Sequence, residues 1–323
     1  MTFDAITGHQ QQKNILLRAL SSQRVAHAYL FEGPDGIGKR MMALAFARAL
    51  LCQNHTGCGE CPACLKVASH NHPDIHLLEA NSEALKIAQI RSLQQELSLR
   101  PLEGKYKVCL IDGAENFTAG AANALLKTLE EPRSGTLIVL LTNQPEKLLP
   151  TIRSRCQRLP FSPLPKPQLA TLLAEKLELS TTQSLVLAAL SEGSLKKALG
   201  PNRDFFLEKR GQLIQSLSAL SSGSTIPTFS FANELEKEKG SLPVILDIFQ
   251  AFYRDLLLLK HDRPVEELIN QDLLGLLQQQ NQQTTTASLL VKLKVLESAR
   301  FHLQRNVNRR LTLEVMLMRI TAA

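Results

Sequence analysis

Residues 29 to 40, Tyr29-Leu-Phe-Glu-Gly-Pro-Asp-Gly-Ile-Gly-Lys-Arg40, carry the types and spacing of a phosphate-binding loop. Gly33, Gly38 and Lys39 fit G-x-x-x-x-G-K, with Gly36 between them. Glycines let the backbone turn tightly and bring its N–H groups to phosphate oxygens. The helix that follows points its partly positive N-terminus at the same spot. Lys39 supplies a point charge to the outer phosphates. One position departs from the pattern. Such a loop closes on Ser or Thr, whose hydroxyl ligates Mg²⁺, and position 40 is Arg. ATP or ADP is the ligand class implied, with Mg²⁺ short of a ligand and hydrolysis not expected. The bland alternative is a glycine turn with a lone lysine, and the setting between an apolar strand and a helix argues against it.

Cys52, Cys58, Cys61 and Cys64 form the second constellation, spaced C-x5-C-x2-C-x2-C. Closely spaced thiolates on loops converge tetrahedrally on Zn²⁺, and Gly57 and Gly59 let the backbone fold around it. Four of the chain's six cysteines fall in this segment, against a reading as free thiols. A [4Fe–4S] cluster, which also takes four thiolates, is the lesser alternative. With four ligands and no open position, the expected role is structural. His55, His70 and His72 read as surface or structural residues, and Cys109 as a small core residue in an apolar strand.

The chain that must position these groups has 323 residues, 44% of them apolar, and a net charge of +7. That suffices for two or three domains with real cores, and permits contact with nucleic acid without requiring it. No apolar run approaches the ~18 residues of a membrane span. Met1 to Ile6 lacks a secretory pattern, so the expected location is cytoplasmic, with cysteines reduced or metal-bound.

Periodicity predicts a helix over 9–22, with Ile15, Leu16, Leu17 and Leu20 on one face, and a helix over 39–51 using Leu44, Ala47, Leu50 and Leu51. Strands are predicted at 74–78, 107–112 and 136–141, and a helix over 84–98. Thr118 caps a helix running to Glu131, which Pro132 ends. Asp112 closes the nearly all-apolar strand 107–112. A carboxylate there, beside a phosphate loop, is the position of a Mg²⁺-coordinating acid, or else a plain turn residue. An active site would follow it with Glu, but Gly113 stands there and Glu115 comes two positions late. Strand and helix alternate as in a three-layer α/β domain. Residues 162–167, Ser-Pro-Leu-Pro-Lys-Pro, form a joint, and the rest reads as helical. Gln278 to Gln283 reads as a loop or helix end. Arg300, Arg305, Arg309, Arg310 and Arg319 make the C-terminal helices basic.

The order of motifs resembles a known family. His27-Ala-Tyr-Leu-Phe-Glu-Gly-Pro34 precedes the four-cysteine insertion. Ile111-Asp-Gly-Ala-Glu115, Ala122-Asn-Ala-Leu-Leu-Lys-Thr-Leu-Glu-Glu-Pro132 and Ser154-Arg-Cys156 follow. Together they look like the clamp-loader branch of the AAA+ ATPases of bacterial DNA polymerase III. The likeness covers residues 1 to 200; the last 120 match only in length and helical character.

The resemblance implies an α/β AAA+ P-loop core with parallel sheet over 1–162, a small helical lid over 163–203 and an all-α oligomerising collar over 204–323. It implies a hetero-oligomer with gamma/tau motor subunits and a delta subunit. That assembly loads a sliding clamp on primed DNA, within a DNA-directed DNA polymerase holoenzyme. Carried over residue by residue, Gly33, Gly36, Gly38, Lys39 and Arg40 form the phosphate loop, with Asp112 the acidic strand end. Thr142 or Asn143 is the sensor, Lys196 the lid cation and Arg155 an arginine finger acting on a neighbour's ATP. The cysteines are the zinc module. Lacking the hydroxyl at 40 and Glu at 113 but keeping Arg155, the chain fits a non-hydrolysing stator. The rival readings are a motor subunit that tolerates Arg40, and a zinc-dependent DNA-binding module. No aromatic stacking surface supports the latter.

Overall fold

The computed structural model describes residues 2–80, 84–201, 203–221, 223, 225–305 and 307–323. They fall into two compact units, Met1–Gln168 with Ser194–Lys196, and Leu169–Gly193 with Lys197–Ala323.

The first unit is a three-layer α/β domain. Its elements run α1 (Gln10–Ser21), β1 (Ala28–Glu32), α2 (Lys39–Leu51), α3 (Pro62–Ala68), β2 (Ile75–Glu79), α4 (Ile87–Ser98) and β3 (Lys107–Asp112). There follow α5 (Ala119–Glu130), β4 (Thr136–Thr142), α6 (Pro150–Arg153) and β5 (Gln157–Pro160). The five strands are all parallel, in the order β2-β3-β4-β1-β5.

Strand residues alternate between two cores. Tyr29, Phe31, Val108, Leu110, Val139 and Leu141 face α1 and α2, packing on Leu16, Met42 and Phe46. Leu30, Cys109, Ile111, Ile138 and Leu140 face α4 and α5, packing on Ile90, Leu93 and Leu125. A parallel sheet covered on both faces needs such unbroken apolar strands. α2 is buried nearly all round, not along one stripe, and Leu44 of its predicted face is only half-buried. On α1 the buried apolar residues are Leu16 and Leu20, beside the buried polar Gln12 and Lys13, while Leu17 is exposed. The helix predicted from 84 starts at Ile87, because Leu85 instead pairs as a bridge with Phe117. Thr118 caps α5 as expected, its hydroxyl accepting from Ala121 N at 3.3 Å.

Every regular element among the described residues of the second unit is a helix. It holds most of α7 (Lys166–Leu177), then α8 (Thr181–Leu190) and the end of α9 (Leu195–Ala198). α10 (Arg210–Ser218), α11 (Thr225–Lys237), α12 (Leu242–Lys260), α13 (Leu274–Gln283), α14 (Thr286–Gln304) and α15 (Arg309–Ala322) complete it. The glutamine run ends α13. α12 is the central helix, burying Ile245, Ile248, Phe249, Phe252 and Leu256. Its buried Asp255 accepts from Asn270 N at 2.7 Å and Asn270 Nδ2 at 2.8 Å, fixing the following loop. No described helix is long and apolar enough to cross a membrane.

Candidate phosphate-loop and metal sites

Parallel strands bring their C-terminal ends to one edge, and register decides which residues meet there. Glu79 pairs with Asp112, Asp112 with Leu141, and Glu32 with both Thr142 and Pro160. The loop leaves β1 at this edge. Gly33 N donates to Thr142 O at 3.2 Å, stitching the loop to β4. Glycine is required at Gly33, where a Cβ would fall 2.2 Å from the Phe161 carbonyl oxygen. Gly38, at φ +105°, opens α2 in the left-handed region that favours glycine.

Lys39 is buried and folds back into its own loop, donating to Gly33 O and Pro34 O at 2.6 Å each. Burial lowers its pKa, opposed by Asp35, Asp112 and Glu115. Asp35 in turn is held by Lys196 Nζ at 2.9 Å, and Lys196 N donates to Gly36 O at 3.2 Å.

Arg40 occupies the interval between two strand ends. Its guanidinium pairs with Glu79 and lies 3.8 Å from Asp112 Oδ2. Burial raises the Asp112 pKa while Arg40 lowers it. The charge facing the two carboxylates is therefore the chain's own guanidinium. Gly113, just beyond Asp112, has φ +80°, and a Cβ there would stand 3.0 Å from Ala80 Cβ. Position 113 thus resists a side chain on backbone grounds. Thr142 is buried, with its hydroxyl accepting from Gln144 N at 3.1 Å, and Asn143 beside it is exposed. Glu32, also buried, takes a forked ion pair from Arg158 at 2.9–3.2 Å.

Arg155 follows α6. Its guanidinium meets Glu130 Oε1 at 2.8 Å and donates to Thr151 O at 3.0 Å. Both side chains of the pair are substantially solvent-accessible, so Arg155 is presented at the surface.

The four cysteine sulphurs lie within 4.8 Å of one another. Sγ separations are 3.7 Å for Cys52–Cys58, 3.9 Å for Cys61–Cys52 and 4.0 Å for Cys58–Cys64. A tetrahedron with metal–sulphur bonds of about 2.3 Å has edges of about 3.8 Å, so the set fits a metal ion. The cysteines were expected on loops, but secondary structure holds three of them. Cys52 is the C-cap of α2, Cys61 the N-cap of α3, and Cys64 lies in the first turn of α3. Burial alone would raise the Cys52 thiol, but N–H groups of Cys58, Asn54 and Thr56 and the Cys58 thiol bring it down to about 5. Of the nearby histidines, His72 is buried, its Nδ1 accepting from Asp74 N at 3.1 Å.

Three residues at these sites were missed from sequence. Glu79 was legible as a second acidic residue closing an apolar strand, had that strand not been ended at Leu78. Glu130 lay inside a quoted motif without a partner to mark it. Arg48, buried in the last turn of α2 with its Nη2 2.7 Å from where a Cβ at Gly59 would fall, carried no signal among the apolar residues around it.

A phosphate loop after β1 of a five-stranded parallel sheet, with an acid closing β3 on the far side of β4 and a helical region following, is the architecture of the AAA+ P-loop class. Family models described as DNA polymerase III, delta subunit and DNA polymerase III, delta subunit, C terminal match residues 8–165 and 205–322. DNA polymerase III subunit delta' of Bacillus subtilis (strain 168) is 35% identical over 299 residues, 91% of this chain and 90% of that one. Its counterpart in Pseudomonas aeruginosa is 40% identical over 60% of this chain and 61% of that one. DNA polymerase III subunit tau of B. subtilis is 33% identical, over 61% of this chain but 36% of its own. The chain belongs to the DNA polymerase III delta' subunit family.

Proposed function

We propose that the chain is the non-hydrolysing stator of a clamp loader, which places a sliding clamp on primed DNA. One observation carries this reading: the Arg40 guanidinium sits against Glu79 and Asp112, where an active loop would use a hydroxyl and Mg²⁺. Gly113 strengthens it, since the backbone there disfavours the glutamate that would activate water. Gly33, Gly36, Gly38, Lys39, Arg40, Asp112, Asn143 and Lys196 are then an ancestral nucleotide site. It binds ATP or ADP passively at most, with no Mg²⁺-dependent turnover.

Arg155 serves as an arginine finger on the ATP of a neighbouring gamma/tau motor subunit. Its surface position and half-solvated partner Glu130 suit that task, because a guanidinium so held can be yielded to a phosphate. The delta subunit is the other partner in the assembly. Division into core (1–162), lid (163–203) and collar (204–323) follows from the same reading. On α15, Leu311, Val315 and Met318 are exposed at i, i+4 and i+7, an apolar face suited to packing in an oligomer. The cysteines hold a structural zinc, and the setting is cytoplasmic.

The test is ATP turnover by the purified chain with Mg²⁺. No turnover is expected. Turnover that is lost on Lys39→Ala would make the chain a motor subunit instead.

A further inference from the structure

We infer that Arg48 is an integral member of the four-cysteine centre, acting as its buried counter-charge and hydrogen-bond donor. The inference rests on reading the cysteine cluster as a metal site. Arg48 lies on α2, one helical turn before Cys52, whose N–H donates to Arg48 O at 2.9 Å. The side chain turns inward and only 6% of the residue is exposed. It passes beneath the loop between Cys58 and Cys61, and Gly59 makes room for it. A Cβ at Gly59 would fall 2.7 Å from Arg48 Nη2, and Gly59 has φ +93°. The guanidinium reaches the Cys64 thiol.

Among the described residues no carboxylate pairs with Arg48, and its Nε is buried without a hydrogen-bond partner. A buried guanidinium with no anion is strongly disfavoured, so a buried arginine without a carboxylate marks another source of negative charge. The sulphurs beside it supply that charge. Four thiolates around a divalent ion leave a residual negative charge, which the adjacent cation offsets. The N–H donors also orient a sulphur lone pair, as partners outside the ligand set commonly do at metal sites. Placement near the C-terminal end of α2 is favourable for a cation in its own right.

The experiment is competition of the full chain against a chromophoric chelator for Zn²⁺, repeated with Co²⁺ to read the thiolate-to-metal absorption. Arg48→Gln removes the charge but retains a donor; Arg48→Lys retains the charge but loses the fork. Arg48→Gln is expected to weaken metal affinity by about 10–100-fold, with Arg48→Lys intermediate and both keeping four-thiolate coordination but with a shifted thiolate-to-Co²⁺ band. If Arg48→Gln does not fold, Arg48→Lys decides, since a buried cation and altered geometry must still shift affinity and the cobalt band. Wild-type affinity and spectrum in the variants that fold would overturn the role of Arg48. A wild-type chain that binds neither ion would instead overturn the metal site, and with it the ground of this inference.

Discussion

The guanidinium of Arg155 lies 2.8 Å from the Glu130 carboxylate, and the same side chain donates to the Thr151 carbonyl at 3.0 Å. The pair joins the start of the β5 segment to the last turn of α5. Solvent-accessible pairs of this kind contribute about 0–1 kcal/mol. Arg155→Ala should therefore leave the melting temperature of the isolated chain within about 2 °C of wild type, as expected for so small a loss. The same substitution should slow ATP turnover by the assembled loader about tenfold or more, short of the ~10³–10⁵ recorded for fingers elsewhere. Calorimetry and steady-state turnover check the two halves separately.

Arg40→Thr restores the hydroxyl and releases Glu79 and Asp112. It should create Mg²⁺-dependent binding of ADP, read by titration calorimetry with and without EDTA, yet no turnover, because position 113 still lacks a glutamate. Turnover by this single variant would show that Gly113 does not matter.

Gly113→Glu should destabilise the fold by about 1–3 kcal/mol, the usual cost of holding a non-glycine residue in a disfavoured backbone region. The φ of +80° and the 3.0 Å approach to Ala80 both act against it. Chemical denaturation checks this, and an unchanged midpoint would refute the backbone argument.

With the four cysteines holding a metal ion as proposed, its removal should loosen the segment from Cys52 to Ala68. A chelator, or Cys64→Ser, should lower the melting temperature by several degrees and abolish bound metal, since binding energy at a structural site is folding energy. Metal analysis on the same samples links the two changes.

Asp74 gives a pH dependence with a definite sign. Its buried carboxylate accepts from Leu102 N, Glu103 N and Gly104 N at 2.6, 2.9 and 3.0 Å. Burial would raise its pKa, but these donors prevail and lower it. A folded pKa below the unfolded value of about 3.9 gives stability that is complete above that value and drains away as pH falls through the folded one. Asp74→Asn should cost about 1–3 kcal/mol at pH 7 and less at an acid pH below the folded value, where the wild-type carboxyl is itself protonated. Equal losses at both pH values would contradict it.

Much of this arrangement was legible in the residues. Gly33, Gly38 and Lys39 marked the loop, Asp112 the acidic end of β3, Thr118 and Pro132 the limits of α5. The cysteine spacing marked the cluster. These signals are local, because turns, caps and short ligand spacings act within a few residues. What stayed hidden depends on register and packing. Arg40 was legible as a missing hydroxyl, but its pairing with Glu79 requires β2 to lie beside β3. Arg48 looks like any charge on a helix until α2 is found buried on all sides. Leu85 fitted a helical period, and its bridge to Phe117 is a tertiary pairing that no local pattern carries.

The most direct test of the stator reading is ATP turnover measured for this chain alone and mixed with its motor and delta subunits, clamp and primed DNA, with wild-type Arg155 and with Arg155→Ala. The expected result is no turnover by the chain alone, and stimulated turnover in the mixture that falls when Arg155 is removed. Turnover by the chain alone that Lys39→Ala abolishes, or turnover in the mixture indifferent to Arg155, would contradict it.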